Sequence, residues 1–198
     1  MHGMSDHEGI LLGEILTGTT ALIGGVPADR RTAPTPCPDL DVAGLVDHLV
    51  GWLRAFEAAL AQRPAGSDPG AYRTGDDPAG EFSAAARGVL TAWRSGDPDG
   101  TLQLTGPPLP RSFAYPMMLG EYLVHGWDLA RATGQPVPFT DAQAAAALDG
   151  LRGMLRPEFR GPGRPFGEEV TVGPDAGPVE KVVAFAGRDP QWTSPADA

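Results

Sequence analysis

The sequence predicts an all-α fold, a four-helix bundle with additional short helices towards its C-terminus. Apolar residues recur at spacings of three and four in several long segments, which is the pattern of a helix with one buried face. The alternation of apolar and polar residues that is typical of strands is nearly absent. The 27 glycines and 21 prolines gather between the periodic segments, as expected for irregular loops that connect helices.

The first two helices are separated by a proline-rich connector. The periodic pattern predicts a first helix over 7–24. The closely spaced prolines of "TAPTPCPDLD" then exclude a helix. A second helix is predicted over 42–62, with Asp41 as its N-cap. Its apolar stripe consists of Val42, Leu45, Val46, Leu49, Leu53, Phe56 and Leu60.

The third and fourth helices follow long loops. Residues 81–94 have a helical pattern and come after a loop rich in glycine and proline. The fourth helix is predicted over 116–133, because Pro116 is tolerated in a first turn. Gly134 with Pro136 behind it is a typical C-terminal signal.

A fifth helix and a short final one complete the prediction. Thr140 and Gln143 have the spacing of a capping box, which predicts a helix over about 141–155. The bundle should therefore span about 7–155. The extension, about 156–198, is rich in glycine and proline and carries one short helix in "GPVEKVVAFAGRD".

Composition restricts the partners that this chain can have. Hydrophobic residues make up 41% of the chain of 198 residues. We therefore expect residues 1–198 to form a single domain with a sizeable core. The net charge of −10 and the pI near 4.7 argue against nucleic acid and anionic membranes as partners. A small-molecule substrate is the partner that we expect, and the sequence leaves the oligomeric state, monomer or homodimer, open.

Cysteine content and hydropathy bear on the compartment. Cys37 is the only cysteine, so no internal disulfide can form, which fits a reducing environment. No apolar stretch approaches the roughly 20 residues needed to cross a bilayer. The N-terminus has no basic region ahead of an apolar run, so we expect no signal peptide. Together these features predict a cytoplasmic protein.

The fourth helix carries ionisable residues where an apolar helix should have none. In "EYLVHGWDLARATG", Glu121, His125 and Asp128 are spaced i, i+4, i+7 and share one side. The rest of the helix is apolar nearly all round, so we expect it to be central. A buried carboxylate is costly unless it is paired or bound to a metal. Arg131 is a candidate partner for Asp128 or Trp127, although it lies on another side of the helix.

A metal site between the second and fourth helices would explain this pattern. His48 lies at the edge of the second helix's stripe, so facing helices would bring it to Glu121 and His125. Two imidazoles and one carboxylate form a three-ligand site with an open position for zinc, and also suit non-haem iron. Asp128 is the candidate acceptor for the second nitrogen of a ligand histidine.

Simpler interpretations stay open at this point. A histidine in a helix stripe is often a core histidine with a satisfied hydrogen bond, and Glu121 and His125 could be an i, i+4 ion pair. Cys37 could be a nucleophile, but no histidine is evidently beside it in the sequence. We therefore expect a packing thiol.

Two motifs carry a resemblance to a known family. The stretch "TPCPDLDVAGLVDHLVGW", followed much later by "GEYLVHGWDLARATGQ", resembles the actinobacterial metal-binding family related to the N-terminal domain of mycothiol-dependent maleylpyruvate isomerase. The resemblance implies a DinB-like bundle in which His48, Glu121 and His125 hold a divalent metal. Zinc is the expected ion, with Fe²⁺ or Ni²⁺ as alternatives.

The resemblance also implies a chemistry. It suggests a metal-dependent enzyme that uses a low-molecular-weight thiol such as mycothiol for S-transfer or cis–trans isomerisation of a small electrophile. Arg111 and Arg131 are candidate donors to the thiol. The isomerase carries a further C-terminal domain, for which the stretch after about residue 156 is too short. A transferase, or a non-catalytic protein that binds metal or a small ligand, therefore stays open.

Overall fold

The computed structural model describes residues 6–195 except 65, 67, 98 and 165. Within these residues the chain is mostly helical, with one two-stranded antiparallel sheet, and the predicted all-α fold is confirmed. The helices are α1 (Asp6–Gly24), α2 (Val42–Leu60), α3 (Pro78–Ser95), α4 (Ala114–Thr133), α5 (Asp141–Met154) and α6 (Pro178–Phe185). Strand β1 (Thr101–Leu102) pairs with β2 (Leu109–Pro110) in the connection between α3 and α4.

Helix boundaries differ from the predicted ones by two or three residues at three points, each for a local reason. Helix α3 begins at Pro78 because the Asp77 side chain caps its first turn and proline suits the first helical position. Helix α4 begins at Ala114, so that Pro116 lies within the first turn, where its missing N–H breaks no hydrogen bond. Helix α2 ends at residue 60 because Gln62 adopts a positive φ of 53°.

The predicted helix caps are confirmed. The Asp41 carboxylate accepts a hydrogen bond from a first-turn N–H of α2 at 2.8 Å. Thr140 and Gln143 form a reciprocal capping box, with bonds of 3.0 and 3.3 Å. Gly134 ends α4 in the left-handed region with a φ of 71°. These caps fix where the bundle helices begin and end, and so fix the register of their side chains.

Helix packing places α2 beside α4. Helix α1 packs against α3 and α4, and α2 packs against the same two, so α1 and α2 lie diagonally across the bundle. Helix α5 packs on α4, and α6 packs on α5 and α4. Helix α4 therefore has neighbours on every side, which explains why its sequence is apolar nearly all round.

Close contacts between helices depend on two glycines of α4. A side chain at Gly120 would meet Leu151 of α5, and one at Gly126 would meet Phe139. Both glycines let the neighbouring elements approach the α4 backbone closely. None of the helices in the described part of the chain is long and apolar enough to cross a membrane.

Candidate metal centre

The three predicted ligands converge between α2 and α4. His48 comes from α2, and Glu121 and His125 come from successive turns of α4. One candidate ligand atom of each lies within 4.8 Å of the others. His48 Nε2 is 2.8 Å from Glu121 Oε1, and His125 Nε2 is 3.8 Å from the same oxygen. The two imidazole centroids are 4.9 Å apart at 69°. We refer to these three residues as the trio.

The trio is partly shielded and partly exposed to solvent. The side chains of His48 and Glu121 are 26% and 24% exposed, and that of His125 is 12% exposed. Trp52, one turn further along α2, lies with its ring 6.2 Å from that of His48. A small ligand can therefore reach the trio from solvent.

A hydrogen bond from the second ring nitrogen of His125 fixes the orientation of its imidazole. His125 Nδ1 lies 3.0 Å from Asp128 Oδ2. A carboxylate only accepts hydrogen bonds, so the network assigns the proton of a neutral His125 to Nδ1. The lone pair of Nε2 then points towards the Glu121 carboxylate. Two acceptors facing each other at 3.8 Å repel unless a cation or a proton lies between them.

The electrostatics at Glu121 agree with a cation-binding position. Burial alone would raise the pKa of this carboxyl. The positive charge of His125 in its protonated form, together with the hydrogen bond from His48, outweighs that effect and lowers the pKa to about 2 from its ordinary value of 4.5. Glu121 is therefore ionised throughout the neutral range and available as an anionic ligand.

Asp128 is neutralised by a residue that the sequence pattern did not identify. Its carboxylate is fully buried, and it accepts from Arg188 Nη2 at 3.0 Å and from Arg188 Nε at 3.3 Å. Arg188 itself is only 7% exposed. The sequence offered Arg131 as a candidate partner of Asp128 or Trp127. It lies over the Trp127 ring at 5.9 Å, and the ion pair of Asp128 is made by Arg188 instead.

Sequence reasoning missed Arg188 because no periodic pattern leads to it. It lies just after α6, 60 residues beyond Asp128, among glycines and prolines. The available signal was indirect: a buried carboxylate on an apolar helix needs a cationic partner, and Arg188 is one of the four arginines of the extension, residues 156–198.

The two arginines proposed as donors to a thiol have other partners. Arg111 is buried and donates to the carbonyls of Leu60, Ala92 and Trp93 at 2.7–3.2 Å, where it caps the ends of α2 and α3. This end of α2 lies about 18 Å along the helix from His48. Arg131 donates to the Trp192 carbonyl at 2.6 Å. The structure brings neither guanidinium to the trio.

Cys37 lies closer to the site than its sequence indicated. We expected no histidine beside it, and this was wrong: Cys37, His125 and Asp128 form a second group of candidate ligand atoms within 4.8 Å of one another. Thr35 folds the connector tightly at this point, since its hydroxyl accepts from the Cys37 N–H at 3.1 Å. Burial raises the pKa of the Cys37 thiol, although Arg188 opposes this.

This second group is a poor cation site. The Asp128 carboxylate is already neutralised by Arg188, and the Nδ1 proton of His125 is directed at the same carboxylate. A cation there would face the guanidinium at short range. The shared residue, His125, therefore presents a free lone pair only towards the trio.

We expect Cys37→Ser to retain the metal affinity of the parent chain, because the sulfur groups with Asp128 and not with His48 or Glu121. Competition with a chromophoric chelator measures that affinity. The matched comparison is Asp128→Asn, which acts on the same side of the His125 ring and should weaken binding. If Cys37→Ser lost as much metal affinity as Asp128→Asn, the thiol would be a ligand.

The fold and the trio define a DinB-like helical bundle with a candidate metal centre between two of its helices. The chain matches the family model described as mycothiol maleylpyruvate isomerase N-terminal domain over residues 12–130, and it belongs to that family. The matched stretch contains the whole trio and Asp128. No solved structure matches the chain.

The relatives of this chain include proteins of Mycobacterium tuberculosis. Two uncharacterized proteins, from two strains, are each 31% identical over 173 residues, which is 85% of this chain and 90% of theirs. A second pair of uncharacterized proteins from the same strains is 32% identical over 152 residues, covering 67% of this chain and 58% of theirs. These similarities extend well beyond the two motifs that carry the trio.

Proposed function

We propose that this chain is a metal-dependent enzyme that uses a low-molecular-weight thiol for S-transfer to, or cis–trans isomerisation of, a small electrophile. The metal is held by His48, Glu121 and His125. The observation that carries the proposal is the 3.8 Å approach of His125 Nε2 to Glu121 Oε1 while Asp128 holds the other ring nitrogen. A lone pair and a carboxylate in that arrangement repel each other unless a proton or a cation lies between them, and this is the position that we assign to the metal.

The donor set fits a divalent metal. Two imidazoles and one carboxylate suit Zn²⁺, and the same set suits Fe²⁺ or Ni²⁺. In a tetrahedral zinc site the ligand atoms lie about 3.3 Å from one another. The two separations around Glu121 Oε1, 2.8 and 3.8 Å, fall on either side of that value. Small rotations of the side chains would close the site around the ion.

The site has the properties of a catalytic centre rather than a structural one. Structural zinc sites have four protein ligands, often cysteines, whereas three ligands leave a position for a substrate. When bound, the metal supplies a Lewis acid that favours the thiolate form of a thiol. Glu121 contributes one negative charge and the neutral imidazoles none. One positive charge of a divalent ion therefore stays uncompensated and suits an anionic sulfur.

The family supports mycothiol as the thiol. Its description names a mycothiol maleylpyruvate isomerase, so a thiol of this kind and a small electrophilic substrate are the first candidates for this chain. The chain's net charge of −10 gives no general attraction for anions. Capture of the thiol then depends on the metal and on local contacts beside the trio.

A second function, a non-catalytic protein that binds metal or a small ligand, is favoured by one observation. Polar side chains next to the trio already have hydrogen-bond partners. Asp128 accepts from His125 and Arg188, and Arg131 donates to the Trp192 carbonyl. None of these is free to act as a general acid or base in the described arrangement.

Turnover distinguishes the two functions. We expect zinc-loaded protein to consume mycothiol with at least one electrophile of a panel that includes maleylpyruvate and monochlorobimane. The rate should be at least about tenfold faster than that of His125→Ala, since one protein ligand is lost. The control is His7→Ala, which removes an exposed histidine outside the site and should retain the rate of the parent chain. Rates equal to that of His125→Ala across the panel would favour the binding protein.

A further inference from the structure

The fully buried carboxylate of Asp128 connects the trio to the C-terminal end of the chain. On one side it accepts from His125 Nδ1 at 3.0 Å. On the other it receives three contacts of 3.0–3.3 Å from the Arg188 guanidinium. The Arg188 guanidinium is thus connected to the candidate metal ligand His125 through a single carboxylate.

Arg188 is held in place by the segment that carries it. Its Nη1 donates to the Ala186 carbonyl at 3.2 Å, and its own backbone N–H donates to the Val183 carbonyl at 2.9 Å. Helix α6, just before it, buries Val182 and Val183 completely. Beyond it, the Trp192 carbonyl accepts two hydrogen bonds from Arg131 of α4. The C-terminal segment, residues 178–194, is therefore docked on α4 from both sides of Arg188.

We propose that this C-terminal segment completes the metal centre and that Arg188 is its positioning residue. Arg188 fixes the Asp128 carboxylate, and Asp128 fixes the ring and the tautomer of His125. The inference rests on the metal site of the proposed function. It adds a dependence of that site on a part of the chain outside residues 12–130, the stretch that matches the family.

The physical reason is the cost of an unpaired buried charge. Without Arg188, the carboxylate of Asp128 would keep only one partner in a place that water does not reach. It would then leave its position, and His125 would lose the acceptor that orients it. Loss of such an outer partner of a ligand histidine typically lowers metal affinity about 10–100-fold.

The coupling works in both directions. If docking of the C-terminal segment favours metal binding, metal binding must favour docking by the same factor. Zinc should therefore protect the C-terminal segment against limited proteolysis in the parent chain. The protection should be much weaker in Arg188→Met, because the link through Asp128 is missing.

Variants of Arg188 test the proposal by two readouts other than activity. We expect Arg188→Met to lower Zn²⁺ affinity about 10–100-fold in chelator competition and to change the visible absorption spectrum of the Co²⁺-loaded protein. Arg188→Lys keeps the charge and should recover part of both. The control is Arg160→Met: Arg160 stacks on Phe185 of α6 and donates to its carbonyl, but makes no contact with Asp128. It should leave affinity and spectrum unchanged.

The outcomes separate this inference from the proposed function. A parent chain that binds no divalent metal would refute the metal site itself. A parent chain that binds metal, with Arg188→Met equal to Arg160→Met in affinity and spectrum, would overturn the inference alone. If Arg188→Met does not fold, Arg188→Met/Asp128→Asn removes both charges together. The proposal then expects this double variant to fold and to bind zinc more weakly than the parent, and parent-like binding would contradict it.

Discussion

Replacing His125 with alanine should lower the affinity for Zn²⁺ by more than about 100-fold, a greater loss than outer partners of a ligand cause. The variant removes the nitrogen that faces Glu121 Oε1 at 3.8 Å and leaves two protein ligands. His48→Ala should have an effect of the same size, since its Nε2 lies 2.8 Å from the same oxygen. Asp128→Asn should cost less, about 10–100-fold, because it acts only through His125.

The order of these losses is the informative result. Chelator competition and elemental analysis of the purified proteins measure affinity and occupancy together, with His7→Ala as the control for loss of a histidine. Parent-like affinity in both His48→Ala and His125→Ala would exclude the trio as the binding site. A loss in Asp128→Asn greater than in His48→Ala would mean that the carboxylate of Asp128 is itself a ligand.

The metal-free protein should lose stability as the pH falls from about 4.5 towards 2. The folded state lowers the pKa of Glu121 to about 2 from 4.5, so the carboxylate contributes stability that is present above pH 4.5 and lost as it is protonated. The shift corresponds to an upper bound of roughly 3 kcal/mol. Partial exposure of the side chain, at 24%, will reduce this value.

Denaturant unfolding in the presence of a chelator, at pH 6 and at several values down to 2.5, measures this contribution. Glu121→Gln cannot titrate at this position, so its free energy of unfolding should fall less than that of the parent over the same range. Glu57→Gln is a matched control, because Glu57 pairs with Arg63 on the outside of α2, away from the trio. If Glu121→Gln and the parent lose equal stability, Glu121 does not have the lowered pKa.

The features that the sequence predicts well are local. Helix α2 and its N-cap follow from the spacing of its apolar residues and from Asp41, and both depend on contacts within a few residues. The pairing of His48 with Glu121 and His125 required only one further assumption, that α2 and α4 are neighbours. Each residue already lay on a definite side of a regular helix, so that assumption was enough to bring the three together.

The features that it predicts poorly depend on irregular segments. Arg188 and Cys37 reach α4 from loops whose course is set by turns and tertiary contacts, and no periodicity relates them to Asp128. Arg111 was predicted to donate to a bound thiol and does not. Its guanidinium instead donates to backbone carbonyls at the ends of α2 and α3. The role of a cationic side chain depends on which acceptors the fold places around it, and those acceptors are distant in sequence.

X-ray absorption at the zinc edge of the metal-loaded protein identifies the atoms that bind the ion. We expect nitrogen and oxygen scatterers at about 2.0–2.2 Å, with the multiple-scattering pattern of two imidazoles. This pattern should weaken in His48→Ala supplied with excess zinc. A sulfur scatterer at about 2.3 Å in protein without added thiol would instead place the ion at Cys37 and contradict the assignment of the metal to His48, Glu121 and His125.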